Sequence, residues 1–449
     1  MRASILADPM PRLLWRLSLP SIAGLLLVGI NQLIDGIFVG QFVGEAGLGG
    51  VSLALPITQV TLGLGAMIGS GAGSILSRAI GADNKRLQST IIPAMNSVAL
   101  LLAVVVALVG VPHAAAIIRM MGGTGELVDL GSEYLRIMAA GAIFPIWGLG
   151  SNLLIRAEGR MVAAMLRTSV TVITNTCLNY IFMGVLGWGM TGAALATVLA
   201  MALFCLTGLS YFSSSRPSFE TRVAALSFDR TLIREIVSVG APSLVLQVMG
   251  LIQQLVTYRL LASHGGTGDI AFFGAVHRLF FVALLPANGF VRALQPVVGI
   301  NFGAGNYRRV RSAVLVFLSA NVGLLLGLWL LLNTSPSLFL STMLPGRAFT
   351  GAEIANYRLF VTLLPMLSMI FITVTYLQAV GRGLPGTVLL FAREFLLFIP
   401  IAIVVSARLG VNGVYLAYFG VDVFLAAVAA LMLAISVRRL PTSPIESGE

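Results

Sequence analysis

Leu17–Phe42 reads LSLPSIAGLLLVGINQLIDGIFVGQF. As a helix rising 1.5 Å per residue it spans about 39 Å, more than the ~30 Å of hydrocarbon in a bilayer. Its one charge is Asp35. A carboxylate at the centre of a membrane helix costs roughly 2.5–3.5 kcal/mol on insertion scales, and an acid held there titrates, binds an ion or meets a cationic ligand. Arg2, Arg12 and Arg16 precede the stretch as a signal peptide's basic region would. The apolar run, however, continues to about Gly40 without a small-residue cleavage site, so it reads as a first membrane helix.

The remainder of the chain has the same character. Its 449 residues are 57% hydrophobic and 10% charged, against about 25% charged in soluble domains, and the mean hydropathy is +0.96. Windows of about 20 apolar residues give about twelve spans, centred near positions of about 27, 62, 98, 144, 172, 200, 246, 284, 322, 365, 397 and 424. The fold class is therefore an all-α integral membrane protein. The formal charge of +11 is spread over short loops rather than gathered on one face, which argues for topology and against a nucleic-acid partner. Cys177 and Cys205 lie in apolar segments and imply neither a disulfide framework nor a metal site.

The most polar break is Ser213–Arg234, read as a linker followed by a short amphipathic stretch. On either side of it the chain repeats itself. Leu19-Pro20-Ser21 matches Ala241-Pro242-Ser243, Ile80–Asn84 matches Phe302–Asn306, and Ala157–Arg160 matches Ala379–Arg382, each at an offset of 222; Gly192–Ala196 and Gly413–Ala417 match at 221. Six spans per copy is an even number, so both copies cross in the same orientation. Two parallel six-helix lobes, 1–220 and 221–449, are expected about a pseudo-two-fold axis along the membrane normal, with a cavity between them. Basic residues cluster in alternate loops (Arg78, Lys85 and Arg86; Arg156, Arg160 and Arg167; Arg308, Arg309 and Arg311; Arg438 and Arg439), which puts both termini in the cytoplasm. This is the build of a secondary transporter. With no GxxxxGK[ST] loop to cradle a nucleotide and no HExxH or GxSxG signature, neither ATP-driven transport nor an enzyme is expected.

Several stretches carry a family resemblance: Asn31–Gly40 (NQLIDGIFVG), Gly69–Arg78 (GSGAGSILSR), Gln295–Gly305 (QPVVGINFGAG), Gly189–Thr197 (GMTGAALAT) and Gln378–Arg382 (QAVGR). In order and spacing they resemble the multidrug and toxic compound extrusion (MATE) family, most closely its DinF-like bacterial branch, over nearly the whole chain. The loop Arg78–Arg86 does not fit the Gly-x-x-x-Asp-Arg-x-Gly-Arg pattern of the major facilitator superfamily. Lipid-linked-sugar flippases share the architecture. The resemblance implies export of bulky cationic or amphipathic compounds from a multi-pass monomer in a bacterial cytoplasmic (inner) membrane, by alternating access.

Asn31 and Asp35 are four apart on one face of the first span, Asn175 and Asn179 on the fifth, and Ala193 and Thr197 on the sixth. Clustering them would satisfy groups too costly to leave bare in lipid. The resemblance implies the same grouping, as an N-lobe cation-coupling site around Asp35, with Asn179 where the family often has a second aspartate. Sodium would find one carboxylate, the amides of Asn175 and Asn179, Thr197 and the Ala193 carbonyl. A proton needs only Asp35, because removal from water favours the neutral form of a carboxylate; H+ is thus favoured over Na+ as coupling ion, with no cofactor. Pro20 interrupts the helix hydrogen bonds, and Gly24 and Gly29 loosen the stretch before Asp35, so Pro20 is a candidate hinge answering its protonation. In the C-lobe the position equivalent to Asp35 is Thr257, beside Gln253 and Gln254. Deep charges there are Arg393, Glu394 and Asp422. An Arg393–Asp422 pair is expected, with Glu394 pointing elsewhere and, with Asn31, Gln253 and Gln254, a candidate for a substrate or secondary polar site. Arg393 is the one clear mid-span basic residue in this reading, which disfavours a flippase for an anionic lipid-linked precursor.

Overall fold

A computed structural model describes residues 1–214, 217–219 and 221–441. Ser215, Arg216 and Glu220, inside the expected linker and at the expected lobe boundary, lie outside the described residues, as do 442–449. The described chain is all-helical. The first half comprises α1 (Arg2–Ala7), α2 (Met10–Phe42), α3 (Glu45–Gly81), α4 (Lys85–Met120), α5 (Glu126–Ala140), α6 (Ile143–Ala157), α7 (Met161–Asn179) and α8 (Gly189–Ser213). The second comprises α9 (Arg230–His264), α10 (Thr267–Gly303), α11 (Tyr307–Thr334), α12 (Pro336–Met343), α13 (Gly351–Val361), α14 (Leu363–Ala379), α15 (Gly383–Phe391), α16 (Ile399–Leu409) and α17 (Val411–Arg438).

Among the described residues, eleven stretches are long and apolar enough to cross a membrane. They become twelve when α5 and α6, bent by 55° about Gly141–Ala142, count as one span. The wider π-helical turns Tyr180–Val185 and Ala392–Phe398 extend α7 and join α15 to α16. α13 and α14 together make the tenth span. The spans fall where the apolar windows put them.

The repeat is visible in backbone geometry. Gly159 and Gly381, at equivalent turns, both have φ +82°, and the equivalent Asp83 and Gly305 have φ +55° and +70°. In the first pair Gly159 N donates to Arg156 O and Arg160 N to Ile155 O, and equivalently Gly381 N donates to Gln378 O and Arg382 N to Leu377 O. These helix ends leave a carbonyl-capping turn that only a left-handed residue closes without strain, which is the position glycine favours.

The two copies meet across a reciprocal contact that defines the axis. A Cβ on Gly81 would lie 2.1 Å from Ile300 O, and one on the equivalent Gly303 would lie 2.0 Å from Arg78 O, itself the equivalent of Ile300. Deeper along α3, Gly71 and Gly240 of α9 cross so closely that a Cβ on either would stand 1.9 Å from the other helix's carbonyl oxygen. Around this crossing Ser70 Oγ and Ser243 Oγ are 2.8 Å apart, Gln378 Nε2 donates to Ser243 Oγ at 3.1 Å, and Gln295 Nε2 donates to Ser70 O at 3.0 Å. Ser74 Oγ donates to Gln378 O, and Arg78 Nη2 meets Glu235 at 2.8 Å. The lobes are thus held together in the half of the molecule where α2 begins and α17 ends. Within the first lobe Gly65, Gly69 and Gly73 let α3 lie against the backbone of α6 at Ile146, Gly150 and Leu153.

The described part of the linker alternates half-buried and exposed residues from 221 to 228. Instead of a helix, residues 221–229 form a strap along α4: Asn96 Nδ2 donates to Val223 O and Ala225 O at 2.8 and 2.9 Å, and Ser227 N donates to Ser97 Oγ at 3.0 Å. Asp229 then caps the first turn of α9 by accepting from Thr231 N and Leu232 N.

Candidate functional site

Asp35 sits on α2, partly buried, with two amides aimed at it. Asn31 Nδ2 donates to its Oδ2 at 2.9 Å from one turn earlier on the same helix. Asn179 Nδ2, from α7, donates to its Oδ1 at 2.6 Å. Asn179 also donates to Asn175 Oδ1 at 3.3 Å, and Asn175 Nδ2 reaches Thr197 Oγ1 at 3.5 Å. Thr197 donates its own proton to Ala193 O at 3.1 Å, and Asn175, Asn179 and Ala193 are buried. The α2, α7 and α8 residues singled out in the sequence are therefore one connected network.

Tyr134 of α5 escaped the sequence reading. It lies beside Thr197 and within electrostatic reach of Asp35, so the bent fourth span brings a phenol to the network. Thr191 Oγ1 donates to the neighbouring Glu133, fastening α5 to the start of α8. The signal lay in a Glu-Tyr pair, Glu133-Tyr134, between Asp129 and Arg136, but no residue at helical spacing announced its partner.

An ionised Asp35 is well served by this arrangement, since both oxygens accept from amides and charge-assisted bonds of this kind are about twice as strong as neutral ones. A neutral Asp35 also has somewhere to turn: Asn31 Oδ1 is buried beside it and makes no hydrogen bond. A sodium ion would need the oxygens of Asn175 and Asn179 turned toward Asp35, where Asn179 now presents its NH2 group.

The C-lobe equivalents do something different. Thr257 Oγ1 and Tyr418 Oη are 2.8 Å apart, and Gln253 is buried near them on α9. The structure does not bring Gln253, Gln254 or Glu394 to Asp35. Arg393 holds Asp422 through Nε–Oδ1 at 2.7 Å and Nη2–Oδ2 at 3.0 Å, as the sequence implied. Glu394 does not point elsewhere: Arg393 Nη1 donates to it as well. Both residues lie in the wider turn Ala392–Phe398, and Arg393 thus bridges two carboxylates, Asp422 and Glu394. Nor is Arg393 the lone buried base. Arg156 and Arg167 are 5% and 7% exposed, and Arg292 is half-buried on α10. Pro20 lies inside an unbroken α2, and Pro242 lies equivalently inside α9. No group of three or more His, Cys, Asp and Glu among the described residues is placed to hold a metal.

Comparison with known proteins agrees with this architecture. The MatE family model matches the chain twice, at residues 20–181 and 242–404. The two matches begin 222 residues apart, the offset of the internal repeat. Multidrug export protein MepA of Staphylococcus aureus (strain NCTC 8325 / PS 47) is 25% identical over 438 residues, covering 96% of this chain and 95% of MepA. The protein of the same name from Staphylococcus haemolyticus (strain JCSC1435) is 25% identical over 403 residues, covering 88% and 87%. Among solved structures, a MATE crystal structure in the bent conformation superposes with TM-score 0.91 at 25% identity over 98% of both chains. An outward-facing MATE transporter of the MOP superfamily superposes with TM-score 0.89 at 24% identity, again over 98% of both.

Proposed function

The chain belongs to the MatE family, and from that premise we propose that it is a proton-coupled multidrug exporter of the DinF-like kind. It exchanges protons for bulky cationic or amphipathic compounds across a bacterial cytoplasmic membrane. Both termini lie in the cytoplasm, and residues 1–220 and 221–449 act as its two lobes. The observation that carries the reading is Asp35: a lone carboxylate in a network of amides and hydroxyls that can serve its ionised and its neutral form.

Ionised, Asp35 draws Asn31 and Asn179 inward and links α2 to α7. Protonated, it no longer accepts at both oxygens; its O–H donates, and Asn31 Oδ1 is the acceptor within the same turn of helix. The Asn179 bond that ties α2 to α7 weakens, and α2 is free to bend at Pro20, where a backbone hydrogen bond is already missing. Bending narrows the N-lobe side of the central cavity and expels its contents. The close Gly71–Gly240 and Gly81–Gly303 contacts lie toward the cytoplasm in this topology, so the arrangement described is the outward-facing one, with protons reaching Asp35 from outside.

A sodium-coupled antiporter is the second reading, favoured by the convergence of Asn175, Asn179, Thr197 and Ala193 on one carboxylate. The deciding experiment reconstitutes the protein in proteoliposomes and follows transport of an ethidium-like cation under a proton gradient or a sodium gradient. Transport under the proton gradient alone, lost in Asp35→Asn, is expected. Transport driven by sodium alone would replace the reading with the second, and cation movement under neither gradient would overturn both.

A further inference from the structure

The offset of 222 pairs Ser21 with Ser243, Arg156 with Gln378, and Arg292 with Ser70. In the C-lobe half of the interface Ser70, Ser243 and Gln378 form a neutral cluster with every contact made, as described above. In the N-lobe counterpart the three equivalent positions hold Ser21 and two arginines, Arg156 and Arg292. Arg156 Nη1 donates to Ser21 Oγ at 2.9 Å and Nε donates to Asn152 Oδ1 at 2.9 Å. Its Nη2, 3.5 Å from the position a Cβ on Gly24 would take, makes no hydrogen bond. Arg292 approaches from the other lobe. Leu285 and Gly289 of α10 face Gly29 and Ile22 of α2, and position 292 follows one turn further along that face.

Among the described residues Arg292 makes neither a hydrogen bond nor an ion pair, and the side chain is half-buried rather than free in water. No acid answers either charge: the groups that act on Arg156 are Arg292 and Arg167, both positive. Ser18, one turn before Ser21 on α2, is 0% exposed and its Oγ has no partner. Two unpaired guanidinium edges and a spare hydroxyl in a low-dielectric setting are costly alone, and an anion placed among them relieves like-charge repulsion while filling each donor.

We propose that Arg156, Arg292, Ser18 and Ser21 form an oxyanion-binding site between the lobes, built for the phosphate of a lipid or lipid-like amphiphile. The fork of a guanidinium matches phosphate geometry, and Ile22, Leu285 and Met165 beside it suit an acyl chain. The site is independent of Asp35 and of the coupling ion, so it stands or falls apart from the proton reading.

The full chain in detergent is titrated with dioctanoyl phosphatidylglycerol, dioctanoyl phosphatidylcholine or inorganic phosphate while its thermal unfolding is followed. The wild type is compared with Arg156→Gln/Arg292→Ser, which installs the neutral pattern that the C-lobe already folds around. Dioctanoyl phosphatidylglycerol is expected to raise the melting temperature of the wild type saturably. The double variant is expected to stay monodisperse, melt no lower than the unliganded wild type, and need at least tenfold more of the lipid. Protection by inorganic phosphate would assign a free oxyanion as ligand; protection by phosphatidylglycerol alone would assign a headgroup. No saturable protection by either, equal protection by phosphatidylcholine, or equal affinity in the double variant would overturn the site.

Discussion

Adding one methyl group at Gly71 tests how the lobes are held. A Cβ there would stand 1.9 Å from Ile236 O, and ordinary contact begins near 3.4 Å, so α3 and α9 must part by about 1.5 Å. That displacement would stretch the 2.8 Å Ser70–Ser243 bond beyond hydrogen-bonding range and disturb the bonds of Gln378 to Ser243 and Gln295 to Ser70. Three partly buried bonds at about 0.5–1.5 kcal/mol each come to roughly 2–4 kcal/mol, a shift of about 30- to 1000-fold against this arrangement of the lobes. Gly250→Ala on α9 is the control, since nothing lies within 4 Å of its Cβ position. The assay places a cysteine at Ser74, 0% exposed between the lobes, in a chain whose Cys177 and Cys205 are replaced. Labelling by a membrane-impermeant maleimide is followed from the cytoplasmic side of inverted vesicles. Gly71→Ala should expose that cysteine where the parent and Gly250→Ala protect it. Equal labelling, with an unchanged melting temperature, would show that this crossing does not hold the lobes.

Three other expectations follow from individual contacts. Tyr134→Phe removes the hydroxyl beside Thr197 and Asp35 but keeps the ring, and should lower proton-driven transport several-fold while shifting its pH profile; an unchanged profile would remove Tyr134 from the network. Arg393→Met strands Asp422 and Glu394 without their shared cation, and breaking a buried pair in this way costs about 3–5 kcal/mol, read as a large fall in melting temperature that Asp422→Asn in the same chain partly restores. Glu158, in the turn between α6 and α7, accepts from Ser218 N and Oγ and from Tyr211, yet burial pushes its carboxyl up to about 7. Its folded form binds the proton more tightly than the unfolded chain, so the stabilisation is complete below about 4.5 and is lost as pH rises through about 7, worth on the order of 3 kcal/mol. Glu158→Gln should flatten thermal stability across that interval, and a wild-type slope retained in the variant would exclude Glu158 as its source.

Sequence alone determined a good deal of this protein. Twelve apolar windows, the 222-residue repeat and the parallel sense of its copies are one-dimensional facts, because bilayer thickness sets span length and an even number of spans sets orientation. The pairing of Asn175 with Asn179, and of Asn31 with Asp35, was equally legible, since a helix puts residues four apart on one face. Tertiary structure decided what those faces meet. Tyr134 comes to lie beside Thr197 because the fourth span bends by 55° between α5 and α6, and Glu394 shares Arg393 with Asp422, which lies on another helix. The linker became a strap because Asn96 and Ser97 offered its backbone partners on α4. The meeting of Arg156 with Ser21, and of Arg292 with Arg156, was hidden for the same physical reason. The residues lie in different spans, and helical periodicity fixes which way a side chain faces but not which helix is packed opposite.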